Sequence, residues 1–170
     1  MKDTLAEINT LREAGIIGAS AIGGAMAATF YLEPVSTFDL DIFVLFENPP
    51  LILTLSPIYD FLTARGHAAE GEAIVVHGWP VQFLAAESPL LRAAVEGARE
   101  IDFEGVPARV MTAEHLMAVA LQTGRAKDHA RLVAFVESGV ADAGRLRQIL
   151  DRHGLTAAWD DFARKFLPTP

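Results

Sequence analysis

Asp39-Leu40-Asp41 opens a run, 39–46, in which every other residue is apolar. Side chains alternate along a strand, so Asp39, Asp41, Phe43 and Leu45 share one face, while Leu40, Ile42, Val44 and Phe46 share the other. Apolar residues on both faces predict a strand buried on both sides, inside a sheet covered by helices. Two carboxylates at i and i+2 repel, and each disfavours the other's ionisation; such a pair serves to hold a cation or to share a proton. Taken alone, the same pair also fits a solvated strand end.

Just upstream lies a complementary pattern. An apolar segment of small residues, 18–22, within a first strand expected over 16–22, runs into Gly23-Gly24 and then into good helix formers, 25–32. That sequence reads as strand, tight turn, helix. Glycines there let backbone approach a ligand closely, and the free N–H groups of a new helix face an anion. By itself the turn is as consistent with simple chain reversal as with phosphate binding. Set beside Asp39 and Asp41, it suggests a phosphate site with Mg²⁺, or Mn²⁺ in its place, held between acids and phosphoryl oxygens.

The remaining chain divides at about residue 112. Upstream, Thr4-Leu5-Ala6-Glu7 has the form of a capping box and predicts a first helix over 4–14. After a break at Asn48-Pro49-Pro50, Ser56-Pro57 opens a helix that ends at Gly66. Strands are predicted over 73–77 and 80–85 about a turn at Gly78-Trp79, a helix from Ser88-Pro89, and a hairpin of 100–103 with 108–111 about Glu104-Gly105. Downstream, Gly124, Gly139 and Gly154 punctuate four helices over 112–123, 126–137, 141–153 and 156–166. The expectation is an α+β chain: a mixed sheet flanked by helices over 1–111, and a helical region, 112–170, packed on it as one structural unit.

Composition narrows the function classes. With 170 residues and 51% hydrophobic content the chain can bury a substantial core. It has no cysteine, which excludes disulfides and thiolate metal sites. The acidic, amphipathic start is unlike a signal peptide, and no apolar run approaches the ~20 residues of a membrane span. A cytoplasmic protein without a membrane partner is expected. A net charge of −8 argues against a broad duplex-DNA surface. No Gly-x-Ser-x-Gly elbow or P-loop is present, and His77, His115 and His153 have no partners at zinc-site spacing.

Gly23-Gly24 followed by Thr37-Phe38-Asp39-Leu40-Asp41 at the head of an apolar strand resembles the nucleotidyltransferase fold of the DNA polymerase β superfamily. The segments Met111 to Ala118 and Gly124-Arg125-Ala126-Lys127-Asp128 are similar to later blocks of its bacterial branch that includes the AbiEii-type toxins of toxin–antitoxin systems. The resemblance covers about residues 16–132. It implies an NTP substrate with Gly23, Gly24, Ser36, Thr37 and Lys127 at the nucleotide, Asp39 and Asp41 as catalytic metal ligands, and Asp128 in a supporting polar contact. The acceptor it implies is an RNA end, a protein or a small molecule. Arg125 and Asp128 also fit a plain intrahelical ion pair.

Two positions depart from the pattern: Val35 stands where relatives often carry Arg, and Gln82 where a third acid is expected. A neutral amide cannot act as general base. Glu72, Glu87 and His77 are the nearest substitutes. The alternative is a catalytically inactive relative that acts as a binding or regulatory partner, as a homodimer or with another protein.

Overall fold

The computed structural model describes residues 1–33, 37, 39–46 and 54–167. The sheet has seven strands: β1 (Ala19–Ile22), β2 (Leu40–Leu45), β3 (Ala68–Glu70), β4 (Ala73–Val76), β5 (Trp79–Ala85), β6 (Arg99–Phe103) and β7 (Val106–Val110). They lie in the order β3-β4-β5-β2-β1-β7-β6. β2 runs parallel to β5 and β1 parallel to β7; the other neighbours are antiparallel. The helices among the described residues are α1 (Lys2–Glu13), α2 (Gly24–Ala28), α3 (Ser56–Ala64), α4 (Pro89–Glu96), α5 (Ala113–Thr123), α6 (Ala126–Ser138), α7 (Ala143–Arg152) and α8 (Thr156–Phe166). The molecule is thus α+β, a mixed sheet flanked by helices with a helical C-terminal region. No described helix is long and apolar enough to cross a membrane.

Period-2 alternation in β2 assigns its two faces. Leu40, Ile42 and Val44 are fully buried on one side, where Ile42 borders a small cavity with Leu5 and Ile8 of α1. In the parallel register Ile42 lies beside Phe83, whose ring packs edge-on against Tyr59 of α3. The opposite face is only half covered, contrary to a strand closed on both sides. Asp41 and Phe43 line a cavity there with Leu91 of α4 and Leu116 of α5. Each wholly buried Leu, Ile or Phe contributes about 1.5–3 kcal/mol, so the Ile42 face carries much of the stability and the Asp41 face is free to carry function.

Several local expectations shift. The hairpin between β4 and β5 turns at His77-Gly78, one residue earlier than expected, with φ of 47° and 81°; Trp79 already belongs to β5. A two-residue turn that matches strand twist needs positive φ at both central residues, and Glu104-Gly105 at 53° and 85° satisfies the same rule. Strand β3, Ala68–Glu70, was not expected: three exposed residues leave no hydrophobic pattern, and its pairing with β4 holds it. Helix α2 spans five residues instead of eight. The break at 48–50 lies outside the described residues.

α5 is the buried hinge of the C-terminal region, packing on α2 and α4 as well as on α6, α7 and α8. Thr112 caps it, its Oγ1 accepting from the His115 N–H, and Gly124 ends it at φ 67°. Glu114 on the same helix is buried, and its carboxylate accepts the Asp142 N–H at 2.9 Å. Burial opposes its charge, but this bond, others from backbone and Thr112, and the nearby Arg145 hold its carboxyl below the usual range.

At the other end of the chain, the fully buried Thr4 hydroxyl donates to the Val76 carbonyl at 3.0 Å, fastening α1 to the end of β4. Thr4→Val keeps the shape and removes that bond while the carbonyl keeps its ladder partner, so urea denaturation should show a loss of about 0.5–1.5 kcal/mol, with Thr4→Ser near wild type. Equal stability of all three proteins would mean that the bond contributes nothing.

Candidate functional site

The glycine turn and the acidic strand meet at one end of the sheet. β1 and β2 are antiparallel with Ile22 opposite Ile42, which puts Gly23 beside Asp41. The Gly23 N–H donates to the Asp41 carbonyl at 2.9 Å. Gly24 sits against the Asp41 carboxylate so closely that a Cβ there would lie 1.8 Å from Oδ2. Its φ of 58° is also the left-handed region that glycine tolerates best. Gly23 is crowded in another direction, where a Cβ would fall 2.4 Å from the Phe43 ring.

This geometry corrects one detail of the turn. The Gly23 N–H is already used by Asp41 and is not free for an anion. The first bond of α2 runs from the Ala27 N–H to the Gly23 carbonyl, so the N–H groups of Gly24, Ala25 and Met26 are the ones outside the helical ladder. The backbone donors beside Asp41 therefore begin one residue later than the glycine pair implies.

The two acids differ in environment. Asp39 is exposed, and its Oδ1 accepts the Thr37 hydroxyl at 2.9 Å. Asp41 is half-buried; burial and then the Asp39 charge raise its pKa, while Lys127, Arg131 and Arg125 pull it back down. An aspartate whose folded pKa lies above the unfolded value of 3.8 keeps its proton longer when folded. Stability therefore falls as pH rises from the unfolded pKa through the folded one, and the full penalty stands at neutral pH. A cation bound beside Asp41 would relieve it. Ser36 and Val35 lie outside the described residues.

Helix α6 supplies the opposing charges. Asp128 is 1% exposed. It receives Arg125 Nε at 2.7 Å and Nη2 at 3.3 Å, with Arg131 Nη1 at 3.6 Å. Burial works against the Asp128 charge, but the fork of Arg125 and the Arg131 charge hold its carboxyl below the usual range. The intrahelical ion pair of Arg125 and Asp128 exists, and it borders the same cavity as Asp41. Asp41, Gln82, Arg125, Asp128 and Arg131 all border one cavity of about 370 Å³ whose floor is Phe43, Leu84, Leu91 and Met111. Lys127 instead lines a neighbouring cavity of about 570 Å³ with Tyr31, Glu33 and Arg131. Arg131 borders both.

Gln82 lies directly beside Asp41 in the parallel β2–β5 register, so both point to the same face. Its Nε2 donates to Glu72 Oε2 at 3.3 Å. Glu72 follows Gly71 in the turn between β3 and β4, and Tyr59 fixes its backbone by donating its hydroxyl to the Glu72 carbonyl at 2.7 Å. Of the three substitute groups, Glu72 is the one that contacts Gln82. Glu87 borders a separate small cavity with Arg92, and His77 stands near Glu7.

The sequence matches no protein-family model, and no curated protein matches it significantly. Among solved structures, the chain is similar to the antibiotic-resistance factor ANT(2'')-Ia, with a TM-score of 0.56 and 12% identity over 95% of each chain. It is also similar to an antigenic nucleotidyltransferase-like protein from Paracoccidioides brasiliensis, with a TM-score of 0.56 and 12% identity over 93% of this chain and 92% of that one. The fold is that of nucleotidyltransferase structures.

Gly24→Ala adds a Cβ into the Asp41 carboxylate at a left-handed residue. Denaturant melts should show a loss of about 2–4 kcal/mol. A fully stable Gly24→Ala protein would show that the close approach is not structural.

Proposed function

We propose that the chain is a nucleotidyltransferase that uses Mg²⁺, or Mn²⁺, to move a nucleotidyl group from an NTP to an RNA end, a protein or a small molecule. The observation that carries this reading is the contact of the Asp41 carboxylate with Gly24, with backbone N–H donors outside the helical ladder at the same strand end. The donor set fits a hard divalent cation: Asp39 and Asp41 offer carboxylate oxygens, and a chain without cysteine offers no thiolate. When bound, such an ion neutralises phosphate charge and polarises the phosphorus–oxygen bonds.

Residues of the chain take the remaining roles. Asp39 and Asp41 hold the cation, with the Thr37 hydroxyl orienting Asp39; Ser36 is assigned to the nucleotide by resemblance. The N–H groups of Gly24, Ala25 and Met26 receive phosphate oxygens. Lys127 and Arg131, whose charges Asp41 already senses, neutralise the polyphosphate. The acceptor hydroxyl oxygen bonds to the α-phosphorus as the bridging bond breaks and pyrophosphate leaves; Glu72, steadied by Gln82, takes the hydroxyl proton. In this reading 1–111 carries the acids and 112–170 closes the cavity with α5 and α6, as one unit acting in the cytoplasm. The AbiEii-type branch and a toxin role belong to the same proposal, resting on the order of the blocks at 111–118 and 124–128.

One observation favours a second reading: an amide, Gln82, occupies the position beside Asp41 where a third acid would complete a two-cation site. A chain that keeps the scaffold and binds nucleotide without turnover would act as a regulatory partner.

Calorimetry with each NTP and Mg²⁺ should show binding to wild type that is lost in Asp39→Asn/Asp41→Asn; unchanged binding in that variant would remove both residues from the role. Transfer of labelled nucleotide should fall at least about a hundredfold in the same variant, because ligands of such an ion support several kcal/mol of transition-state stabilisation. Glu72→Gln should depress turnover while nucleotide binding persists. Absence of turnover in wild type, with transfer gained in Gln82→Asp, would select the second reading.

A further inference from the structure

Glu7 of α1, His67 after α3 and His77 in the β4–β5 turn come from three separate parts of the chain and converge on one point. One donor atom from each, a carboxylate oxygen and two ring nitrogens, lies within 4.8 Å of the others. His67 Nε2 is 3.6 Å from Glu7 Oε1, and His77 Nε2 is 3.8 Å from Glu7 Oε2. Both distances are too long for hydrogen bonds. They are close to the about 3.4 Å that separates two donors on a tetrahedral ion with bonds of about 2.0–2.1 Å. The two rings stand edge to face at 5.0 Å.

We propose that Glu7, His67 and His77 form a site for a Zn²⁺-class transition-metal ion, distinct from the cation site at Asp39 and Asp41. Two imidazoles with one carboxylate favour zinc, cobalt or nickel over Mg²⁺, which takes oxygen ligands. Glu7 and His67 side chains are each 11% exposed, whereas His77 is 45% exposed, so a fourth position opens to water on the His77 side. The present tenant of the carboxylate is Arg65, which donates to Glu7. Its side chain is 46% exposed, so the guanidinium can swing away into solvent.

The ion would act as a clip. It would join α1 to the hairpin at the place where Thr4 already bonds to Val76, one residue before His77. His77 takes the positive φ that its turn requires, and the turn sets its ring beside Glu7. Spacing along the chain could not reveal the site, since its residues lie 60 and 10 positions apart.

The test uses the untagged full chain, stripped of metal and titrated with Co²⁺ while visible d–d absorption is followed. Wild type should take up one equivalent, displaced by Zn²⁺, and so should Asp39→Asn/Asp41→Asn, which separates this site from the nucleotide site. His77→Asn preserves the turn and removes the imidazole; it and His67→Gln should each bind at least about tenfold more weakly. Arg65→Ala should bind more tightly, and Zn²⁺ should raise the melting temperature of wild type but not of His77→Asn. No Co²⁺ spectrum in wild type, or an unchanged spectrum in His77→Asn shown to be folded by circular dichroism, would overturn the proposal.

Discussion

The contact between the Asp41 carboxylate and the Cα of Gly24 is the constraint on which the rest of the site depends. Space for one hydrogen and no more at Gly24 brings the acid to the backbone donors of α2, and the Gly23 N–H bond to the Asp41 carbonyl fixes the two chains in that register. Burial then makes the carboxylate reluctant to ionise, and Asp39 adds to the reluctance. A charge held where its neighbours oppose it is a standing cost to stability, and a bound cation is the simplest partner that converts it into affinity.

Everything opposite Asp41 is arranged around that charge. α5, capped by Thr112 and Gly124, carries the chain across the open side of β2 and sets α6 where its first turn faces the acids. Buried Asp128 is what keeps Arg125 and Arg131 in place: long cationic side chains would otherwise move freely in solvent, and a nearly inaccessible carboxylate holds both. The result is a cavity with an apolar floor, negative charge on one wall and positive charge on the other. The proposed metal-bound nucleotide would match that pattern.

The strongest periodic signals in the sequence translated directly into structure. The alternation in 39–46, the glycine pair before it and the helix cap at Ser88 each encode a local preference that tertiary packing did not override, whereas Thr4, read as part of a capping box, lies inside α1 and bonds to Val76. Gln82 beside Asp41 was legible as the expected place of an acid, and the β2–β5 register agrees. What escaped was non-local. Ala68–Glu70 is a strand only because β4 pairs with it. Glu72 gains its position from a turn and from Tyr59. His67 and His77 become neighbours through the β3–β4–β5 hairpins, which no spacing rule anticipates.

The sharpest test is thermal: melting temperatures of wild type and Asp41→Asn at pH 7.5, each with and without Mg²⁺ and nucleotide. If Asp41 is a cation ligand kept at a cost, Asn should melt higher than wild type in the metal-free state, each kcal/mol of relief being worth about 2–4 °C for a chain of this size. Adding Mg²⁺ and nucleotide should then raise wild type past the variant. A metal-free wild type that melts higher than Asp41→Asn, or equal stabilisation of both proteins by Mg²⁺ and nucleotide, would contradict that role for the strand-end acids.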